Sequence, residues 1–190
     1  KTIELAVKEK IGSADIFVAN TGGPPTGNIS AVDINSLSNQ LEIMLVRIIE
    51  LSALIIPEMK AQGWGRILAV GSSGVIQPIP NLGISNVVRS ALVGWTKSLS
   101  NDLAREGITV NMLLPGRIHT KRIDELDQAV AEKTGQELES VRKASLATIP
   151  VGRYGKVEEF ADTAAFICSD RAGYITGSLI RCDGGLIKSV

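Results

Sequence analysis

Asp15-Ile16-Phe17-Val18-Ala19 is a short apolar run, and Asn20-Thr21-Gly22-Gly23-Pro24-Pro25 follows it without a gap. A run of this length, apolar at both parities and bounded by Gly and Pro, predicts a strand covered on both faces, as in a parallel α/β sheet. The Gly- and Pro-rich hexapeptide then lies at the strand's carboxyl end, where such sheets place their ligands. The same unit recurs twice. Arg66-Ile-Leu-Ala-Val-Gly71 leads into Ser72-Ser73-Gly74, and Ile108-Thr-Val-Asn-Met-Leu113 leads into Leu114-Pro115-Gly116 and a loop to Thr120. One such glycine turn is only a tight turn; three at one sheet edge predict a nucleotide-sized crevice.

Helical patterns fill the intervals. Thr2 to Lys10 reads as a helix end stopped by Gly12, and a long helix capped by Ser36 or Ser38 runs to about Ala61. From Ser85 to Ala104 the apolar residues Val88, Ala91, Leu92, Trp95 and Leu99 keep the 3.6 period. Two polar helices follow, at about 122–132 and 136–147, and Ile149-Pro150 breaks the second. A helix over 157–169 and a strand over 178–182 precede the turn Asp183-Gly184-Gly185. This alternation predicts a single α/β domain over residues 1–190, a doubly wound, Rossmann-like parallel sheet in three αβα layers.

Composition excludes several classes. In 190 residues, 44% are hydrophobic and 21% charged, which is incompatible with disorder. Twenty Lys+Arg balance twenty Asp+Glu, so no electrostatic signal points to nucleic acid or an anionic membrane. Leu41 to Met59 is apolar, yet Glu42, Arg47, Glu50 and Ser52 interrupt it, so it reads as a buried helix rather than a membrane span. Cys168 and Cys182 make no disulfide framework or metal spacing; small buried hydrophobes in a reducing cytoplasm are expected, with no metal site.

The turns also carry a resemblance. Ala19-Asn20-Thr21-Gly22 resembles the "NNAG" turn of the short-chain dehydrogenase/reductase family, in particular its 3-oxoacyl-carrier-protein reductase-like branch. Gly65 to Ser73 resembles the strand that delivers that family's substrate-orienting serine. Gly94-Trp-Thr-Lys-Ser-Leu99 is similar to the middle of its active-site helix, and Leu114-Pro115-Gly116-Arg-Ile-His-Thr120 to its "PG…T" loop at the nicotinamide. Ile149 to Lys156, Tyr174 to Gly177 and Asp183-Gly184-Gly185 are similar to its carboxyl-terminal signatures. The resemblance implies NAD or NADP as cofactor, held by Asn20, Thr21, Gly22, Pro115, Gly116, Ile118 and Thr120. It also implies a small carbonyl or alcohol substrate and a homodimer or homotetramer.

Two departures qualify it. The family's glycine-rich dinucleotide fingerprint belongs to a preceding βαβαβ half of roughly 60–70 residues, at about 30 per βαβ unit. The sequence before Lys1 is therefore expected to supply it, together with the residue that chooses NAD or NADP. Without that half, the strand at Asp15–Ala19 is expected to be an unprotected edge and the chain an incomplete folding unit. Second, the family pairs a Tyr with a Lys four residues later, thirteen residues after the serine. Counting from Ser72 gives Ser85 and Arg89, and the family's proton-relay Asn falls at Met44.

A serine hydroxyl titrates far above working pH, so Ser85 is a poor general acid. Arg89 stays charged and is able to hold ribose hydroxyls, a carboxylate or a phosphate. The catalytic candidates are thus Ser72, Ser85 and Arg89. His119, the single histidine, is read as a solvated loop residue with a lesser claim as substitute acid. Tyr154 and Tyr174 read as packing residues with a bonded hydroxyl, Trp64 as a surface-turn residue, and Lys121, Arg122, Asp124 and Glu125 as a solvated first helical turn. Two functions fit: an NAD(P)-dependent oxidoreductase on carbonyls or alcohols, and a dinucleotide-binding pseudoenzyme or oligomer partner. The excess of apolar residues around the helix at 41–61 points to an oligomer.

Overall fold

The computed structural model describes Glu9 and residues 12–189, so the expected helix at Thr2–Lys10 lies outside the described residues but for Glu9. Among the described residues four strands form one sheet: β1 (Ile16–Ala19), β2 (Gly65–Val70), β3 (Ile108–Pro115) and β4 (Leu179–Cys182). Their order is sequential, and every pairing is parallel, with Ala19 opposite Ala69, Val70 opposite Leu113 and Pro115 opposite Cys182. All four carboxyl ends therefore share one edge.

Among the described residues six α-helices accompany the sheet: α1 (Ile34–Leu41), α2 (Arg47–Gln62), α3 (Gly83–Leu103), α4 (Lys121–Thr134), α5 (Leu138–Ala147) and α6 (Val157–Ile167). Side chains alternate across strands. Ala69, Met112 and Leu114 pack with Ile48 and Leu92 on one face, and Ile67 and Val110 with Met59 and Leu103 beside them. Leu68 and Leu113 pack with Ile167 and Cys168 on the other. The three αβα layers follow directly from that alternation. β3 is the spine, buried from Ile108 to Leu114.

Several expectations need correcting. The long helix starts at Asp33, whose carboxylate accepts from Ser36 N–H at 2.8 Å, and neither Ser36 nor Ser38 is its cap. A π-helical turn, Glu42–Val46, splits it into α1 and α2 and carries the buried Met44. β1 is not covered on both faces among the described residues: Ile16 and Val18 remain 48% and 47% exposed. Tyr174 is fully exposed instead of packed; its neighbour Ile175 turns into the core at that point. Cys168 is buried as expected, and burial pushes its thiol pKa up, but Cys182 is only half-buried. Trp64 is not free on the surface: its indole N–H donates to Asp170 at 2.7 Å and Arg66 lies over its ring.

Candidate active site at the carboxyl edge

Ser72 stands one residue beyond β2, half-buried, and starts a single 3₁₀ turn (Ser73–Val75) that packs on α3. Its Oγ accepts from Gly74 N–H at 3.0 Å, which fixes the side chain. Asn86 of α3 closes the following loop, accepting from Ile79 N–H at 3.3 Å and donating to Ile79 O at 3.0 Å. Ser85 and Arg89 lie one helical turn apart on the buried face of α3, each 8% exposed. Arg89 Nη1 donates to Val70 O, the last carbonyl of β2, at 2.7 Å. Arg89 is thus tied to the end of β2, two residues before Ser72, and Ser85 lies one turn before Arg89 on the same buried helix face. Met44 is 2% exposed in its π turn, an apolar thioether with no donor to offer a water.

Asn20, Thr21 and Gly22 leave the adjacent end of β1, with Asn20 and Gly22 exposed, and a Cβ at Gly22 would meet nothing within 4 Å. Pro115 ends β3, and a Cβ at Gly116 would stand 2.6 Å from Asp183 Cα, so only glycine allows β3 and the β4 turn to approach. Ile118 bridges to Gly155, with His119 N–H donating to Gly155 O at 2.9 Å. Thr120 stands before α4 with a hydroxyl that makes no cap bond. His119 is two-thirds exposed, with Tyr154 and Asp124 as its side-chain neighbours.

Arg122 departs from its expected role. Its Nη2 donates to Pro24 O at 3.0 Å, pinning α4 to the turn after β1, while Nη1 stands 3.6 Å from Glu125. A Cβ on Gly23 would lie 3.3 Å from this guanidinium. Burial lowers the pKa of Arg89, and the positive charge of Arg122 lowers it further. Asp127, 2% exposed, anchors the other side of α4 through Arg117 at 3.0 Å and the Tyr154 hydroxyl at 2.6 Å, which bears out a bonded Tyr154. A cavity of about 350 Å³ opens beyond this loop, between Arg117, Ile118, Arg181, Cys182 and Asp183, away from the end of β2.

The family model described as "Enoyl-(Acyl carrier protein) reductase" matches residues 2–187. This chain belongs to the short-chain dehydrogenase/reductase family. It is 35% identical over 175 residues to dehydrogenase/reductase SDR family member 4 of Sus scrofa, covering 92% of this chain and 60% of that protein. It is 32% identical over 183 residues to the 3-oxoacyl-[acyl-carrier-protein] reductase FabG of Vibrio cholerae, covering 95% and 70%. Among solved structures, YwfH, an NADPH-dependent reductase involved in bacilysin biosynthesis, superposes with a TM-score of 0.93 at 29% identity, over 100% of this chain and 73% of that one. The L-sorbose reductase of Gluconobacter frateurii, complexed with NADPH and L-sorbose, superposes with a TM-score of 0.91 at 28% identity, over 99% and 72%. The chain thus spans three-fifths of the length of the pig relative.

Proposed function

We propose that the protein is an NAD(P)-dependent oxidoreductase that interconverts a small carbonyl compound and its alcohol. The observation that supports this reading is the position of Ser72 just past the end of β2, with Arg89 bonded to that end, on the sheet edge that also carries the Asn20–Gly22 turn and the Pro115–Thr120 loop. The NADPH-dependent relatives named above support it. The residues present fit the nicotinamide end of a dinucleotide: Gly22 leaves room for backbone approach, and Thr120 brings an uncapped hydroxyl at a helix N-terminus. Asn20, Thr21, Gly22, Pro115, Gly116, Ile118 and Thr120 would hold it. When bound, the cofactor supplies or accepts the hydride.

The rest falls to this chain. The Ser72 hydroxyl, set by its bond to Gly74, donates to the carbonyl oxygen as negative charge develops there. Arg89 adds a fixed positive charge beside it. Ser85 is too weak an acid to deliver the proton, so that proton comes from solvent entering the mouth. A second reading, a dinucleotide-binding pseudoenzyme or oligomer partner, is favoured by the buried Met44 and the replaced Tyr and Lys. A carbonyl panel with NADPH and NADH decides between them: oxidation of the nucleotide supports the reductase, and saturable nucleotide binding with no turnover supports the pseudoenzyme.

A homodimer or homotetramer is part of the proposal. Ile43, Val46 and Ile49 stay 47%, 37% and 37% exposed on the α1–α2 segment, an apolar stripe suited to a second copy. A monomeric mass by light scattering at micromolar concentration would overturn it. We place the protein in the cytoplasm; among the described residues no helix is long and apolar enough to cross a membrane, and both cysteines are free. Cell fractionation tests that placement.

A further inference from the structure

Among the described residues Asp127 is the only buried carboxylate, 2% exposed, in the second turn of α4. A buried charge is costly unless it is paired, and both oxygens of Asp127 have partners. Oδ1 accepts from Arg117 Nη1 at 3.0 Å and Oδ2 from the Tyr154 hydroxyl at 2.6 Å. A buried ion pair adds little net stability over apolar side chains of the same volume; what it fixes is geometry. The geometry fixed here is that of the loop between β3 and α4.

Arg117 belongs to that loop, and its backbone is bound as well as its side chain. Its carbonyl accepts from Gly155 N–H at 2.9 Å, and Gly155 O accepts from His119 N–H at 2.9 Å. Gly155 follows Tyr154 directly. The bonds therefore close a ring, from the Arg117 guanidinium through Asp127 and the Tyr154 hydroxyl to Gly155, and from Gly155 N–H back to the Arg117 carbonyl. Ile118 is held by the backbone part of this ring: it bridges to Gly155, and a Cβ at Gly155 would stand 2.7 Å from Ile118 Cδ1. The ends of the loop are set by other bonds. Gly116 N–H donates to Cys182 O at 3.0 Å, and Thr120 O accepts from Ile123 N–H at 2.9 Å. The middle of the loop is where side chains are used, and both of them meet at Asp127.

We propose that Asp127 is a positioning residue for the nicotinamide end of the dinucleotide: through Arg117 and Tyr154 it keeps Ile118 and Thr120 in the geometry that receives it. This rests on the cofactor assignment proposed above. Asp127 is itself closed off from solvent and acts only through its two partners. A loop that holds its binding geometry a tenth of the time binds about ten-fold more weakly.

The test is calorimetry on the full chain with two ligands, NADPH and 2′-phospho-ADP-ribose, which is the same molecule without the nicotinamide. Asp127→Asn should weaken NADPH on the order of 10-fold and leave the fragment's affinity in place. Arg117→Gln should follow it, Arg117→Lys should restore part of the loss, and the exposed control Glu139→Gln should change neither ligand. In turnover, KM for NADPH should rise while kcat at saturating NADPH is retained. A substitution that merely loosens the fold would move both ligands together. Equal losses for the two ligands in Asp127→Asn, or no loss for either, would therefore overturn the inference and leave the cofactor assignment standing. So would a wild-type chain that binds the fragment as tightly as NADPH, because the loop would then make no use of the nicotinamide. If the wild type binds neither ligand, the dinucleotide reading falls and the inference with it. Should Asp127→Asn fail to fold, Tyr154→Phe removes one arm of the ring and carries the same comparison: a loss of about threefold for NADPH alone is expected, and an equal loss for both ligands, or none, refutes the inference.

Discussion

Each end of β2 meets a buried arginine, Arg66 within the strand and Arg89 reaching it from α3, and the two ends follow opposite rules. At the amino end Arg66 ties the strand to Gly107, Ser169 and Asp170 and stacks on Trp64. At the carboxyl end Arg89 holds one carbonyl and has no carboxylate partner among the described residues. The first end is spent on stability; the second keeps hydrogen-bonding capacity in reserve. Local polar groups left under-satisfied where glycine turns converge mark a place built to receive something.

The largest test of that contrast compares Arg66→Ala with Arg89→Met in denaturant unfolding. Arg66→Ala orphans three carbonyls and should cost about 3 kcal/mol or more. Arg89→Met frees one carbonyl and removes an unpaired buried charge, so its cost should stay under about 1 kcal/mol. Equal losses would erase the distinction between the two ends.

A second prediction sharpens the carboxyl end. The double replacement Ser85→Tyr with Arg89→Lys should raise carbonyl reduction on the order of 10²-fold, the usual contribution of a positioned general acid. It should also exceed the loss caused by Ser72→Ala. No gain, with dinucleotide still bound, would mean that the proton already has an efficient route.

The outer rim of the carboxyl edge is tied down as firmly as the amino end, and smaller effects follow there. Tyr154→Phe removes the 2.6 Å bond to buried Asp127 and should cost about 1–2 kcal/mol in thermal unfolding, with the Arg117 bond retained. Burial, then the bond to Asp127, also raises the Tyr154 pKa, so ionising the phenol in base removes a favourable contact and lowers stability.

The smallest effect concerns Glu159. Two bonds from Arg153, at 2.6 and 2.8 Å, and one from Lys156 N–H hold its pKa at about 2, below its ordinary 4.5. The folded value is the lower one, so this group's contribution is complete above pH 4.5 and disappears as pH falls through 2. Glu159→Gln should flatten the acid limb of a stability–pH profile over that interval; an unchanged limb would contradict it.

The sequence made the strands and their turns legible because apolar runs and Gly-Pro clusters are local signals. β1, β2 and β3 lie where those runs place them, as do the loops at Asn20, Ser72 and Pro115. The chain position of Ser85 and Arg89 was equally readable, since a fixed spacing on one helix survives folding. Arg122 was not. Its sequence neighbours Lys121, Asp124 and Glu125 are those of a solvated first helical turn, whereas the partner that defines its role, Pro24, is 98 residues away. The π turn at Met44 has no compositional signature, and the cap is Asp33, three residues ahead of Ser36, which the sequence reading did not consider. Tyr174 misled because an aromatic beside an apolar strand usually packs, and here Ile175 takes that place.

Hydride transfer itself tests the central claim most directly. NADPH carrying deuterium at the transferable C4 position, mixed in a single turnover with a ketone the protein accepts, should place that deuterium on the carbinol carbon of the product. Ser72→Ala should slow the step without abolishing nucleotide binding. Bound nucleotide with no deuterium in any alcohol across the carbonyl panel would contradict the account and leave the carboxyl edge as a binding site alone.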